Sequence, residues 1–289
     1  MIIPLGVTVA AGAVLGGSLL ALDRIALGLI RPPYKPLKKR VSDLPFPSEQ
    51  VEFPSGREVL RGWVLYPEKD NGGPVLVLVH GWGSSHGRMT RLAGPLLESG
   101  YPVLLFDVRH HGESRGAPYV TARHFRDDIL AAVEQAASTF PGRSRVLIGH
   151  SMGGATSVLA VATGAPVVGL VSIGAPADLW GVWADHMDRR GLPGRWVIRL
   201  LRPFWQLRAR TPWRLLDPRR RARDVGVPFL VLHGDRDESV PSPHAHLLSR
   251  PGRVEARILE GWGHSDLLES PELHQEIHSF LKGLPPNPG

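Results

Sequence analysis

The stretch Gly149-His150-Ser151-Met152-Gly153 lies where an apolar run changes into a run of small residues. The apolar residues 146–148 before it are typical of a buried strand, and the residues after it can begin a helix. A glycine-flanked serine at such a strand-to-helix turn is held in strained backbone geometry, with its hydroxyl exposed above the sheet. The pattern predicts that Ser151 is a nucleophile, in an elbow formed with Gly149 and Gly153. The alternative is a glycine-rich turn with an idle serine.

A serine hydroxyl is a poor nucleophile unless a base, usually a histidine oriented by a carboxylate, takes its proton. Asp235 and Asp237 follow one predicted strand, and His264 follows the next. The carboxyl ends of parallel strands meet at one edge of a sheet, where sites usually form. We therefore predict His264 as the base and either Asp235 or Asp237 as the acid. The alternative for His264, one of 13 histidines, is an ordinary surface residue.

The negative charge that develops on an attacked carbonyl oxygen needs pre-positioned N–H donors. The backbone N–H of Met152 can provide one, because it stands at the start of the helix after the serine. The turn at residues 80–83, after the apolar run at 75–79, can provide the second. We expect this donor to be the backbone N–H of Trp82. The alternative is that residues 80–83 are only a tight glycine turn.

Strand and helix patterns alternate from about Glu49 to the end of the chain. The predicted strands are residues 50–53, 59–66, 75–79, 103–106, 145–148, 167–173, 229–232 and 254–259. The predicted helices are residues 88–98, 121–139, a segment from Met152, and 271–281. This alternation predicts an α/β fold with a mostly parallel sheet and helices on both faces. The first two strands are predicted to form a hairpin.

Residues 178–225 interrupt this alternation, because they contain no clear strand. They hold five of the eight tryptophans, and twelve arginines against five aspartates. The surplus of seven positive charges equals the net charge of +7 of the whole chain. The segment is therefore interpreted as an inserted, basic, helical unit. Trp180 and Trp183 are its candidate substrate-binding residues, with packing against the core as the alternative.

Residues 2–22 contain no charged side chain and are about as long as a membrane-spanning helix. Positive charges follow, including a basic cluster at residues 31–40. By the positive-inside rule, we predict that residues 1–30 are a transmembrane anchor and that the following domain is cytoplasmic. The alternatives are a cleaved signal, with secretion, and a buried helix. Residues 31–48, rich in proline, are predicted as an extended, solvated linker.

The composition excludes several classes of protein. The chain has no cysteine, which excludes disulfides, thiolate zinc sites and a cysteine nucleophile. Its pI near 10.2 could indicate a nucleic-acid partner. However, the sequence has no helix-turn-helix, zinc or aromatic RNA-binding signature, so we predict no such partner. We also expect no metal and no organic cofactor, and the sequence does not predict the oligomeric state.

Five ordered motifs carry a resemblance to a known family. They are His80–Gly83, Phe106–Ser114, Gly149–Gly154, His233–Pro241 and Gly261–His264. Together they resemble the α/β-hydrolase superfamily, in particular its monoglyceride lipase-like, serine aminopeptidase-like (S33-type) branch. The resemblance extends from about Glu49 to Leu281. One departure is His110, which stands where the family usually has glycine in a structural loop.

The resemblance implies that Asp237 is the triad acid and that residues 178–225 form a cap over the site. The hydrolase core would then comprise residues 49–177 and 226–289. The expected function is hydrolysis of a carboxylic ester through an acyl-enzyme, with a monoacylglycerol, a lysolipid or another acyl ester as substrate. A serine peptidase and a thioesterase use the same triad and are alternatives. A catalytically silent binding protein is the non-enzyme alternative, but it predicts an eroded triad, and no member is eroded.

Overall fold

The structure is a computed structural model that describes residues 5–249 and 254–285. In chain order, its α-helices and strands are α1 (Leu5–Leu29), β1 (Ser48–Ser55), β2 (Glu58–Leu65), β3 (Val75–Val79), α2 (His86–Glu98), β4 (Val103–Phe106), α3 (Ala122–Thr139), β5 (Arg145–His150), α4 (Met152–Ala162), β6 (Gly169–Ile173), α5 (Leu179–Asp188), α6 (Gly194–Ala209), α7 (Pro218–Arg221), β7 (Phe229–Gly234), α8 (Pro243–Leu248), β8 (Val254–Leu259) and α9 (Pro271–Lys282). Every strand predicted from the sequence is present.

The strands form one eight-stranded sheet in the order β1-β2-β4-β3-β5-β6-β7-β8. β1 and β2 form the expected hairpin, and β2 pairs antiparallel with β4. All pairs from β4 to β8 are parallel. The predicted mostly parallel sheet is therefore confirmed. It brings the carboxyl ends of β3, β5, β7 and β8, which precede the predicted site residues, to one edge.

Helices cover both faces of the sheet, as β3 illustrates. Val75, Val77 and Val79 pack in one apolar cluster with α3 and α4. Leu76 and Leu78 pack in a second cluster with α2 and α9. Successive side chains of a strand point to opposite faces, so a strand covered on both sides must be apolar throughout. This is the physical reason for the unbroken apolar run that predicted β3.

The insert at residues 178–225 forms the helices α5, α6 and α7, together with short 3-10 turns. Asp178 caps α5, since its carboxylate accepts hydrogen bonds from the N–H groups of Trp180 and Gly181, both at 3.0 Å. The buried side of α6 includes Ile198, Leu201 and Trp205. The segment is thus helical, as predicted, and its buried side chains form an apolar cluster that also includes Ala26 and Ile30.

The first helix differs from its sequence-based prediction. Among the residues that the structure describes, no helix is both long enough and apolar enough to cross a membrane. The predicted transmembrane anchor at residues 1–30 is therefore not supported; its first four residues lie outside the described residues. The end of α1 packs on the insert, where Trp205 Nε1 donates a hydrogen bond to the carbonyl oxygen of Ala26 at 2.7 Å. Arg208 forms an ion pair with Asp23 at 2.7 Å.

Residues 31–48 are mostly exposed, as expected of a solvated linker, but parts of the segment are fastened to the core. Val41 is buried in the apolar cluster beneath α2. The carbonyl oxygen of Lys39 lies so close to Gly87 that a Cβ there would be 2.2 Å from it. At the other end, the N–H of Val120 donates to the carbonyl oxygen of Ile30 at 2.8 Å. Prolines keep this segment extended, but its apolar side chains fasten it to the core and its last residue begins β1.

Candidate active site

Ser151 lies in the turn between β5 and α4, with φ 56° and ψ −125°. Residues other than glycine rarely adopt this backbone region. A Cβ on Gly149 would lie 2.6 Å from the backbone of Gly153, and a Cβ on Gly153 would lie 2.5 Å from the carbonyl oxygen of Val79. The two glycines therefore let β5, α4 and the end of β3 approach closely. This packing holds the serine in its strained turn.

The structure brings together the three residues predicted as the triad. His264 Nε2 lies 3.0 Å from Ser151 Oγ. His264 Nδ1 lies 2.6 Å from Asp237 Oδ2. In the tautomer that this geometry favours, Nδ1–H donates to the carboxylate and Nε2 accepts from the hydroxyl. The ring can therefore take the hydroxyl proton while the carboxylate stabilises the resulting imidazolium.

The carboxylate that contacts His264 belongs to Asp237 and not to Asp235. The other oxygen of Asp237 accepts hydrogen bonds from the backbone N–H groups of Ser239 and Val240, at 2.9 and 2.8 Å. Asp235 instead accepts a hydrogen bond from the N–H of Gly261 at 2.7 Å, in an exposed position. The two aspartates that the residue pattern alone left open therefore have different surroundings.

The surroundings of Asp237 favour its ionised form. Burial by itself raises the pKa of this carboxyl, but hydrogen bonds from His233 and His264 outweigh burial and hold the pKa well below its usual range. His233 Nε2 lies 3.4 Å from Asp237 Oδ2. It also donates to the carbonyl oxygen of Val240 at 2.8 Å. Asp237 is thus a fixed negative charge at neutral pH.

A second histidine, His150, packs against the ring of His264 with 4.8 Å between ring centroids. Its Nε2 donates to the backbone carbonyl oxygen of His264 at 2.7 Å. Burial, followed by the nearby charge of His264, lowers the pKa of His150 to about 3. His150 is therefore neutral at pH 7. It can hold His264 in place without adding a positive charge that would oppose protonation of that ring.

The N–H groups of Trp82 and Met152 have no hydrogen-bond acceptor among the residues that the structure describes. The turn that carries Trp82 is close to the nucleophile, because a Cβ on Gly81 would lie 2.9 Å from Ser151 Cβ. His80 fixes this turn by donating to the carbonyl oxygen of Gly81 at 2.8 Å. Two free backbone donors beside a serine hydroxyl can stabilise an oxyanion.

The loop after β4 packs against the turn at residues 80–83 and is hydrogen-bonded to it. Asp107 is fully buried and accepts hydrogen bonds from His86 Nδ1 and from the N–H of Glu113, both at 2.8 Å. The N–H of Val108 donates to His80 Nε2 at 3.0 Å. His110 has φ 59°, in the left-handed region that favours glycine. The backbone conformation at position 110 therefore explains why the family that the chain resembles usually has glycine there. His110 adopts this left-handed conformation without being glycine.

Ser151 and His264 open into a cavity of about 560 Å³, here called the main cavity. A narrower, apolar cavity of about 80 Å³, here called the side cavity, adjoins it. The two share Trp82, Met152, Leu179 and Trp183 as lining residues. Trp180, the other candidate substrate-binding residue, lines the side cavity and also stacks on Trp205 with 5.3 Å between ring centroids. These tryptophans therefore both pack the insert and face open space.

The sheet order, the elbow and the hydrogen-bonded serine, histidine and aspartate define an α/β hydrolase. In agreement, a model of the Alpha/beta hydrolase family matches residues 76–273, which is more than half of the chain. The chain belongs to this family.

Several relatives are similar to the chain over most of its length. The pimeloyl-(acyl-carrier protein) methyl ester esterase of Xanthomonas campestris pv. campestris (strain B100) is 27% identical over 74% of this chain and 97% of its own. The monoacylglycerol lipase of Mycolicibacterium smegmatis is 28% identical over 64% and 77%. A solved esterase from Pyrococcus furiosus superposes with a TM-score of 0.71 at 23% identity, covering 88% of this chain and 98% of its own. That structural likeness shows the fold.

The structure places at the site several residues for which the sequence predicted no catalytic or substrate-binding role, among them His150, His233, Arg31 and Lys35. His150 and His233 lie inside two of the five motifs, so the sequence placed them near the site. It did not show which residues they contact. Arg31 and Lys35 line the main cavity, although they lie in the segment predicted as a linker. No sequence pattern indicates this, because it depends on how the segment packs between the core and the insert.

Proposed function

We propose that this protein is a serine-dependent hydrolase of carboxylic esters that acts through an acyl-enzyme intermediate. The observation that carries the proposal is the hydrogen-bonded chain from Asp237 through His264 to Ser151, beside two free backbone N–H donors. The esterase and lipase names of the relatives support an ester over other acyl compounds.

In the proposed reaction, Ser151 Oγ attacks the ester carbonyl carbon while His264 Nε2 takes its proton. The N–H groups of Trp82 and Met152 stabilise the oxyanion. His264 then gives the proton to the leaving alcohol oxygen as the ester C–O bond breaks. Water then attacks the acyl carbon while His264 takes a proton from it, and His264 gives this proton to Ser151 Oγ as the acyl–oxygen bond breaks and the carboxylic acid leaves. Asp237 stays ionised throughout and orients His264, and the cycle needs no metal or organic cofactor.

The shape and apolar walls of the side cavity favour a substrate with an apolar acyl chain, such as a monoacylglycerol or a lysolipid. It adjoins both oxyanion donors and has predominantly apolar walls, to which the insert contributes Trp180, Trp183 and Trp205. Transfer of an acyl chain from water into this space stabilises the complex by about 0.8 kcal/mol per buried CH₂ group. The insert at residues 178–225 then acts as a cap that sets specificity for acyl length.

We expect kcat/KM for p-nitrophenyl esters to rise from acetyl towards longer acyl chains, by roughly fourfold per CH₂ until the side cavity is filled. Thr211 lines this cavity, so Thr211→Phe should lower the ratio of long-chain to acetyl activity. Thr139→Phe, on α3 outside both cavities, is the matched control and should leave the ratio unchanged. Turnover of short esters alone, with no preference for length, would contradict an acyl cavity.

We also propose that the protein associates with an anionic membrane surface through α6. Four exposed apolar residues form one stripe along this helix, here called the α6 stripe: Trp196, Leu200, Pro203 and Leu207. Trp196 is 71% exposed and Leu207 is 75% exposed. Exposed arginines lie beside the stripe at positions 195, 199 and 202. An apolar helix face flanked by arginine is typical of helices that lie in a lipid interface.

The double substitution Leu200→Asp and Leu207→Asp is expected to weaken binding to phosphatidylglycerol-containing vesicles by at least roughly tenfold, because it places two carboxylates in the α6 stripe. Flotation with lipid vesicles measures the bound fraction. Leu247→Asp, on an exposed part of α8, is the control and should bind as the wild type does. Equal flotation of all three proteins would overturn the proposed surface.

A further inference from the structure

Three cationic side chains line the main cavity that holds Ser151 and His264. Arg31 and Lys35 come from the segment after α1, and Arg190 follows α5 in the cap. All three are exposed. Within residues 5–249 and 254–285, none of them lies within ion-pair distance of a carboxylate. The nearby carboxylate of Asp188 is engaged, because it accepts a hydrogen bond from the N–H of Gly194 at 2.8 Å.

Lys35 lies close to the oxyanion turn, and Arg31 is hydrogen-bonded at the wall of the main cavity. A Cβ on Gly83, the residue after Trp82, would lie 4.0 Å from Lys35 Nζ, so this ammonium is next to the oxyanion turn. Arg31 Nε donates to the carbonyl oxygen of Pro118 at 2.9 Å. This bond fixes the guanidinium, and its terminal nitrogens have no partner among the described residues. The cavity thus holds cationic donors with unused hydrogen-bonding capacity.

The cations line the same cavity as His264, the residue that protonates the leaving alcohol in the proposed reaction. In the proposed reaction, His264 protonates the leaving alcohol, so the alcohol must lie beside His264. His264 lines the main cavity together with Arg31, Lys35 and Arg190. The side cavity is lined by both oxyanion-donor residues and the tryptophans. If the acyl chain occupies the side cavity, the main cavity with its three cations remains available for the alcohol.

We propose that the alcohol part of the natural substrate carries a negative charge, which Arg31, Lys35 and Arg190 bind. This inference rests on the proposed ester hydrolysis and names the substrate class: a single-chain acyl ester of an anionic alcohol. A phosphate fits the planar guanidinium fork of arginine, and a carboxylate has the same charge-assisted chemistry. The cations also attract such a substrate to the cavity before it binds.

The test compares three decanoyl esters as monomers in solution, without vesicles: those of glycerol, glycerol 3-phosphate and glyceric acid. The wild type should have a higher kcat/KM for the anionic esters than for the glycerol ester. A larger value for the glycerol 3-phosphate ester identifies phosphate as the anion, and a larger value for the glycerate ester identifies carboxylate. The preference should weaken as salt is added, because these cations are exposed.

Lys35→Glu and Arg190→Glu should each lower the ratio of anionic to neutral kcat/KM by roughly tenfold, mainly through KM. The ratio is measured within one protein sample, so a partly unfolded variant does not distort it. Arg57→Glu, in the turn between β1 and β2, makes the same change of charge outside the cavity. It should leave the ratio at the wild-type value.

Two results would overturn the inference. One is equal use of the neutral and anionic esters by the wild type, which leaves the ester hydrolase proposal standing. The other is an equal loss of preference in Arg57→Glu, which would assign the effect to net charge. If none of the three esters, nor any p-nitrophenyl ester, is hydrolysed, the proposed function itself fails. The p-nitrophenyl panel therefore separates the two failures.

Discussion

Ser151→Ala is expected to lower kcat for every hydrolysed ester by about 10⁴- to 10⁶-fold, since it removes the hydroxyl oxygen that forms the acyl-enzyme in the proposed reaction. Residual catalysis would come from the oxyanion donors and from substrate binding. The three residues act as a unit through hydrogen bonds of 2.6 and 3.0 Å. We therefore expect the double variant Ser151→Ala with His264→Ala to be little worse than Ser151→Ala alone. Steady-state kinetics on a p-nitrophenyl ester measures both losses.

Ser157→Ala is the matched control for this experiment. Ser157 lies in α4, six positions after the nucleophile, and its buried hydroxyl has no hydrogen-bond partner among the residues that the structure describes. Removing that hydroxyl should leave kcat within about threefold of the wild type, because no buried donor or acceptor is left unpaired. If Ser151→Ala keeps activity comparable with this control while circular dichroism shows a folded protein, Ser151 is not the nucleophile.

Asp237→Asn is expected to lower kcat by about 10⁴-fold with little change in fold. An asparagine amide can present an N–H to His264 Nδ1, which favours the tautomer with the proton on Nε2. That tautomer cannot accept the proton of Ser151. The substitution also removes the charge that stabilises the imidazolium, so the loss should fall on kcat more than on KM.

Asp235→Asn provides the control for this prediction, because Asp235 is two residues away and caps only the N–H of Gly261 at 2.7 Å. We expect it to change kcat by less than about tenfold, since it leaves the triad hydrogen bonds intact. A larger loss in Asp235→Asn than in Asp237→Asn would reverse the assignment of the acid. Measuring kcat for both variants on the same ester decides between them.

The sequence predicts the sheet well for a physical reason. A strand buried on both faces must be apolar throughout, and β3 and β4 were predicted with the bounds that the structure gives them. The elbow was equally predictable, because only glycine fits at positions 149 and 153 where backbone segments meet. These features depend on residues that are close together in the chain, or on rules common to all parallel sheets.

Other features depend on tertiary contacts that have no local sequence signal. Ala26 near the end of α1 and Ile30 just after it pack on the insert at residues 178–225, and the chain that follows brings Arg31 and Lys35 to the main cavity. A run of uncharged, apolar residues suits both a membrane span and a helix packed on other helices, so the sequence of this segment could not separate the two. The short helix α8 was also missed, since its six residues are too few to show a helical period.

Ser151 is expected to form a covalent bond with reactive acyl and phosphonyl groups. The decisive experiment is to incubate the protein with a fluorophosphonate, digest it, and locate the adduct by mass spectrometry. We predict one adduct, on the peptide that contains Ser151, and a large decrease in its rate of formation in His264→Ala. A folded protein that remains unlabelled, or an adduct that forms on another serine at the same rate in Ser151→Ala, would show that Ser151 is not the nucleophile.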